Sequence, residues 1–226
     1  MIRLITAAVL ATAVPALADE RNFPVSDFHG LALAGSPDVT LTTGRAASVH
    51  AVGAAAALDR LEIRVENGTL KIGNKRGLDW SWRDQGPVRI AVTVPMIRSI
   101  DVTGSGNVKA DVIKVKDFTG AISGSGNIDI VALDADMVSL AIAGSGDISA
   151  TGRCGAGTAK IAGSGDMKLD GLKCATLSAS IAGSGNIRVV ATQTANLSMI
   201  GSGDITLTGG ARCTVSSAGS GKARCS

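Results

Sequence analysis

The chain has 226 residues, 29 of them glycine, against two tryptophans, three phenylalanines and no tyrosine. That composition excludes a core packed from aromatic rings. A formal net charge of only +3, with so few rings for base stacking, excludes nucleic acid as a partner.

Residues 1–18 carry one early cation, Arg3, an apolar stretch from Leu4 to Val14, a break at Pro15 and then Ala16-Leu17-Ala18. This is the pattern of a secretory signal peptide with a small-x-small cleavage site. The stretch falls short of the ~20 apolar residues that a bilayer span needs, and no later segment supplies them. The expected product begins at Asp19, is exported and carries no membrane span. The periplasm, the outer cell surface and the extracellular space all fit.

Residues 19–99 read as β-rich, starting with the apolar-punctuated Phe23 to Phe28. Gly35-Ser36-Pro37-Asp38-Val39 is an imperfect copy of a turn that recurs further on. Ser48 to Val52 alternates as a strand with His50 inside it. Leu61 to Val65 and Thr69 to Ile72 flank Glu66-Asn67-Gly68, and Asn-Gly between alternating segments is the strongest short hairpin signal. Gly73 to Pro87 is polar, holds Trp80 and Trp82 and reads as a surface loop before the alternating Val88 to Val94.

From residue 100 onward a repeat dominates. Gly-Ser-Gly occurs seven times: Gly104 to Gly106, Gly124 to Gly126, Gly144 to Gly146, Gly163 to Gly165, Gly183 to Gly185, Gly201 to Gly203 and Gly219 to Gly221. The intervals are about 18–20 residues, as in a solenoid. The next residue is Asn107, Asn127, Asp147, Asp166, Asn186 and Asp204, and then Lys222 in the last copy. Apolar residues fall on every second position to either side, so each repeat is strand, tight turn, strand with one buried face.

A unit this short cannot close a core alone, but equivalent positions stacked about 4.8 Å apart make continuous apolar columns. One predicted column is Val108, Ile128, Ile148, Met167, Ile187 and Ile205; its partner across the turn is Val102, Ile122, Ile142, Ile161, Ile181 and Met199. The fold class is therefore all-β, a parallel β-helix or β-solenoid of about 18–20 residues per coil. The crossover preference favours the right hand. The N-terminal β-rich part is expected to cap it, because open strand edges invite aggregation. No Gly/Ser/Pro-rich linker separates residues 19–99 from 100–226, so one continuous domain over 19–226 is expected. Glycine in the triplet, and Asn or Asp after it, are read as residues that tolerate left-handed backbone.

The spaced triplets, the Asn-Gly-Thr-Leu-Lys-Ile hairpin and the Val-Pro-Met-Ile-Arg-Ser-Ile approach to the first triplet together resemble the bacterial head GIN domain family of auto-transporter adhesins. The likeness runs from about Phe23 to about Gly221. It implies a secreted β-helical protein, related in shape to pectin-lyase-like proteins, with a role in cell adhesion and no catalytic residues to carry over. This chain departs from the pattern in its four cysteines and in lacking a lipid-anchor cysteine.

Those cysteines are the clearest constellation. Cys154 and Cys174 each lie nine residues before a triplet, hence at one position of adjacent coils and within disulfide range. Pairing Cys154 with Cys174 leaves Cys213 for Cys225, which would clamp the short last coil. Zinc is the weaker reading, lacking any CxxC or nearby histidine. The Asn/Asp ladder could offer Asp147 and Asp166 to a hard cation, but half of it is neutral and the calcium β-roll nonapeptide is absent. Gly219-Ser220-Gly221-Lys222 mimics a phosphate loop without the helix that completes one.

His29 and His50 sit in no nucleophile or metal motif, and Asp129, Asp134, Asp136 and Asp170 are scattered. The sequence thus assigns no catalytic residue, metal or cofactor. Trp80 and Trp82, beside Arg83 and Asp84, are the candidate recognition residues, with plugging of the solenoid end as the competing reading. The expected function is an exported, non-enzymatic binding or adhesion module at the cell envelope. Its expected partner is a surface glycan or protein, with self-association into a homo-oligomer compatible. A polysaccharide-active enzyme and a structural protein without a discrete ligand are the alternatives.

Overall fold

The computed structural model describes residues 18–75 and 86–226. In chain order the strands begin with β1 (Asp19–Phe23), β2 (Gly30–Gly35), β3 (Asp38–Thr43) and β4 (Ser48–Gly53). A short helix α1 (Ala55–Arg60) precedes β5 (Leu61–Glu66), β6 (Thr69–Asn74), β7 (Arg89–Val94) and β8 (Ser99–Gly104). The repeats give β9 (Asn107–Gly124), β10 (Asn127–Gly144), β11 (Asp147–Gly163), β12 (Asp166–Gly183) and β13 (Asn186–Gly201). The chain then ends with β14 (Ile205–Thr208), β15 (Arg212–Gly219) and β16 (Ala223–Cys225).

From β8 to β16 every pairing is parallel and in the register the repeat predicts. Asn127 lies on Asn107 and Ile142 on Ile122; Met167 lies on Ile187 and Ile181 on Met199. Both predicted apolar columns are buried along their length. Each coil is more continuous than a two-strand reading implies, because its middle stretch also stacks: Leu133 pairs with Ile113 and with Gly152. Register slips between Ile130 and Leu133, and between Leu169 and Lys173, absorb the unequal coil lengths.

The N-terminal part closes the other end, but chain order and spatial order part company there. β2 and β3, joined by the Gly35-Ser36-Pro37 turn, form a coil beneath β8 and β9, with Gly35 on Gly104 and Asp38 on Asn107. β6 and β7 flank that coil on its far side, also parallel. Outside them lie the antiparallel strands β5 on β6, β4 on β7 and β1 on β4. This antiparallel layer, with α1, covers the end. The hairpin at Asn67-Gly68 is as expected: Glu66 pairs with Thr69, and both turn residues have positive φ, 51° and 72°. α1 was not anticipated. Its run of Ala55, Ala56, Ala57 and Leu58 buries Ala57 and Leu58 against the cap, and alanine is the strongest helix former.

The core is aliphatic, as the composition requires, yet it holds two rings. Phe118 is 2 % exposed inside the second repeat, and Phe28 is buried in the cap. Space for Phe118 comes from Gly120, where a Cβ would stand 3.4 Å from the ring and 2.9 Å from a methyl of Leu140. Large and small residues trade places up this column: Phe118, Val138, Gly157, Leu177, Ala195. At Gly157 the missing volume is filled by sulfur, since a Cβ there would lie 3.0 Å from Sγ of Cys174.

Candidate functional site

Two surfaces meet at the Gly-Ser-Gly edge, and the edge is built by close approach. The first-glycine carbonyls accept amides from the coil above, most of them two: Ser125 and Gly126 donate to Gly104, and Ser164 and Gly165 donate to Gly144, while Gly183 accepts Ser202 alone. Gly144 has φ of 134°, where only glycine is comfortable. The second glycine serves a different need. A Cβ on Gly146 would overlap the carbonyl oxygen of Gly126, so the coils could not stack at strand spacing.

The residue after the triplet is also there for another reason than expected. Among the described residues Asn67 is the one non-glycine with positive φ, so the Asn/Asp ladder is not placed for left-handed backbone. Its side chains cap the coil above. Asp147 Oδ1 accepts the Asp166 amide at 3.0 Å, Asp166 Oδ1 accepts the Asn186 amide at 2.9 Å, and Asp204 Oδ1 accepts the Lys222 amide at 2.8 Å. The ladder starts below the first triplet, where Asn107 Nδ2 donates to Asp38 at 2.8 Å. The Ser220 and Gly221 amides bond to the Gly201 carbonyl, so the phosphate-loop mimic is one more turn of the edge.

Before each triplet the outward residues form a shallow, open face of mostly small side chains, hollowed by about 450 Å³ between Ala121 and Ile200. Five positions ahead of the first glycine stands Ser99, Thr119, Ser139, Thr158, Ser178, Asn196 and Thr214, and the register stacks these into one column. Asp101, Ala121, Ala141, Lys160, Ser180 and Ser198 make the neighbouring column. Nearest the turn, Ala143, Ala162 and Ala182 lead to Ile200, 64 % exposed. Sequence reasoning followed the buried parity and passed over this one. The constant offset from each triplet was the signal that could have found it.

Both cystines form as expected. Cys154 and Cys174 are directly paired in register, with Cα atoms 4.4 Å apart, inside the core and not on the surface. Cys213–Cys225, with Cα atoms 6.6 Å apart, ties β15 to β16. Trp80 and Trp82 lie outside the described residues. The carboxylates do not converge. Asp129 accepts the Ser149 hydroxyl at 2.6 Å on the face after the turn. Asp134 is clasped by Arg153 through contacts of 3.0 and 2.7 Å, and the guanidinium's hydrogen bonds hold its carboxyl below the usual range. His50 Nδ1 is 2.9 Å from Asn22 Oδ1 across β1 and β4, while the His29 ring packs on Gly68 of the hairpin. The two histidines serve separate packing contacts.

The "putative auto-transporter adhesin, head GIN domain" family matches residues 27–211, nearly the whole β-solenoid. The chain belongs to the head GIN domain family. Solved structures share its fold. A "putative adhesin" from Bacteroides fragilis NCTC 9343 superposes with a TM-score of 0.85 at 20% identity, covering 92% of this chain and 97% of that one. A "putative lipid binding protein" from Parabacteroides distasonis ATCC 8503 gives 0.75 at 24% identity over 94% and 98%. A "putative adhesin" from Parabacteroides merdae ATCC 43184 gives 0.70 at 14% identity over 94% and 97%. No curated protein matches the chain. The head GIN family and two disulfides accord with export, and no helix among the described residues is long and apolar enough to cross a membrane.

Proposed function

We propose that this head GIN protein is an exported, non-enzymatic binding and adhesion module of the bacterial cell envelope, retained in the periplasm or at the surface. The carrying observation is the broad, shallow face ahead of the glycine edge. Its hydroxyl and amide column from Ser99 to Thr214 repeats at strand spacing of about 4.8 Å. A rigid, shallow, hydrogen-bonding strip suits an extended partner, such as a surface glycan or a protein strand, better than a small substrate, which needs a concave pocket. Cleavage after Ala18 would leave β1 whole from its first residue.

The test is binding of purified residues 19–226, coupled to beads, to a glycan array, to bacterial and host cell surfaces and to phospholipid vesicles. Retention on a glycan or protein surface that falls at least tenfold in the double variant Ser139→Lys, Ser178→Lys supports the reading. Both side chains are exposed, so the fold should survive. Trp80→Ala and Trp82→Ala are expected to weaken the same binding. Absence of retention on every surface would remove adhesion and leave a structural envelope protein.

A further inference from the structure

The face ahead of the glycine edge is one continuous sheet, running from β5 through β6, β2 and β8 to β13 and β15. Its three outward columns are nearly free of charge. Between the coil of Ser99 and the coil of Asn196 they carry one acid, Asp101, and one base, Lys160, in the same column and three coils apart. Neither has an ion-pair partner among the described residues. Lys71, two strands from Asp101 in that column, is held by Glu66. Burial alone acts on the Asp101 carboxyl and pushes its pKa above the ordinary range.

The relief of the face is disposed in the same way. Ile200 stands out in the column nearest the turn and is the most exposed large apolar side chain among the described residues. Toward the N-terminal end that column sinks: beneath Thr103 come Ala34 and then Gly73. With Ala32 they floor a depression of about 290 Å³ beside Asp101. Ile200 lies two coils beyond Lys160, and Gly73 lies two strands before Asp101. Base and acid, knob and hollow, therefore share one midpoint, between Ala121 and Ala141.

A surface whose complementary features lie evenly about one midpoint is complementary to itself, as an isologous interface requires. We infer that this face pairs with the same face of a second copy of the chain, about a two-fold axis that lies along the strands and passes between Ala121 and Ala141. The rotation reverses the order of the coils and keeps each column opposite itself. Lys160 of each copy then meets Asp101 of the other, Ile200 enters the hollow over Gly73, and the alanines at the axis let the two sheets approach closely. The other two-fold in the plane of the face, along the coil axis, sets Lys160 on Lys160 and Asp101 on Asp101, and apposed like charges are costly. The overlap, three columns wide and about ten strand spacings long, covers roughly 700 Å² of each copy, close to the ~800 Å² per partner of a specific interface. The inference rests on the reading of this face as a binding surface and names a second copy of the chain as the protein that it meets.

The experiment is sedimentation equilibrium of purified residues 19–226 from low micromolar to submillimolar concentration, where the wild type is expected to dimerise. Lys160→Glu and Asp101→Lys should each weaken self-association at least tenfold, because each apposes like charges twice across the axis. Mixed in equal amounts, the two variants should form a heterodimer about as tight as the wild-type dimer, since opposite charges then meet at both places. That recovery also shows that both variants are folded. Ile200→Asp should weaken the dimer and leave a folded monomer, because the side chain is exposed.

A monomer at every concentration overturns the inference, and so does wild-type association in all three variants. Failure of the mixed variants to pair overturns the two-fold arrangement. If the protein stays monomeric while coated beads are retained on a glycan or cell surface, self-pairing fails and the binding reading stands. If it dimerises through this face while no surface retains the beads, self-pairing stands and adhesion falls.

Discussion

The two parts of this solenoid build the same coil by different routes. In residues 99–226 each coil lies on the one just before it in sequence, so stacked residues are 18–20 apart, as Asn127 on Asn107 and Asp204 on Asn186. In residues 19–98 the chain lays down β2 and β3 and adds β6 and β7 on their far side. It then returns to stack β8 on β2, so Asn107 meets Asp38 across 69 residues. The first route forms each contact soon after the last one and repeats its own grammar. The second must close long loops before any apolar column is complete, which is entropically slower. Periodicity is visible only where neighbours in space are also neighbours in sequence.

The largest expected effect tests whether the two routes give one cooperative unit. Leu33→Ala in the interleaved coil and Ile142→Ala in the repeats occupy related columns and are both buried. Each should destabilise by about 3 kcal/mol in chemical denaturation. If the parts unfold together, hydrogen exchange should rise in both for either variant; a rise confined to one part would break the comparison.

Next comes the edge. Gly146→Ala places a Cβ on the Gly126 carbonyl and should cost about 3 kcal/mol, read as a lower thermal midpoint. Gly210→Ala, unlike Gly146→Ala, alters a residue with positive φ, 75°, but meets nothing within 4 Å, and should cost about 1 kcal/mol. Equal losses would show that conformation, and not close approach, governs the glycine edge.

The disulfides sharpen the contrast within the repeats. Opening Cys154–Cys174, which spans 20 residues of chain, should cost about 3 kcal/mol and loosen the middle coils. Opening Cys213–Cys225 should raise hydrogen exchange only in β15 and β16. The ladder follows: Asp147→Ala leaves the Asp166 amide without its acceptor and should cost about 1 kcal/mol.

The smallest effect is electrostatic. Hydrogen bonds from Arg153 lower the folded-state pKa of Asp134. The contribution of this pair is therefore present above the unfolded carboxyl pKa and is lost as pH falls through the lower folded value. Both groups are solvent-exposed, so Arg153→Gln should change thermal stability only slightly at neutral pH, with the difference from wild type vanishing in strong acid.

Much of this fold was legible. The triplets at 104 to 219, the period-two alternation and the cysteine offset from the triplet placed both columns and both cystines. The Asn67-Gly68 hairpin was equally clear, because that turn type demands positive φ at two consecutive positions. Less legible was why the ladder is Asn or Asp: a side chain that accepts the amide of the next coil looks, in sequence, like one chosen for a left-handed turn. The hydroxyl column was in plain view at a fixed offset, but polar residues on a solvent-facing parity carry no burial signal. The pairing of Phe118 with Gly120 could not be read at all, since either residue alone suggests a different environment.

What the sequence determined by itself is the coil: its length, its inward parity, its glycine corner and the register of successive copies, because stacking forces equivalent atoms to meet at strand spacing. What only the tertiary structure decided is the order of the N-terminal coils and the depression beside Asp101. Ala32, Gly73 and Asp101 come from three separated strands, and nothing local in the chain records that they share one floor and wall. Long-range placement depends on which apolar faces remain uncovered when the chain returns, and that is a property of the assembled sheet.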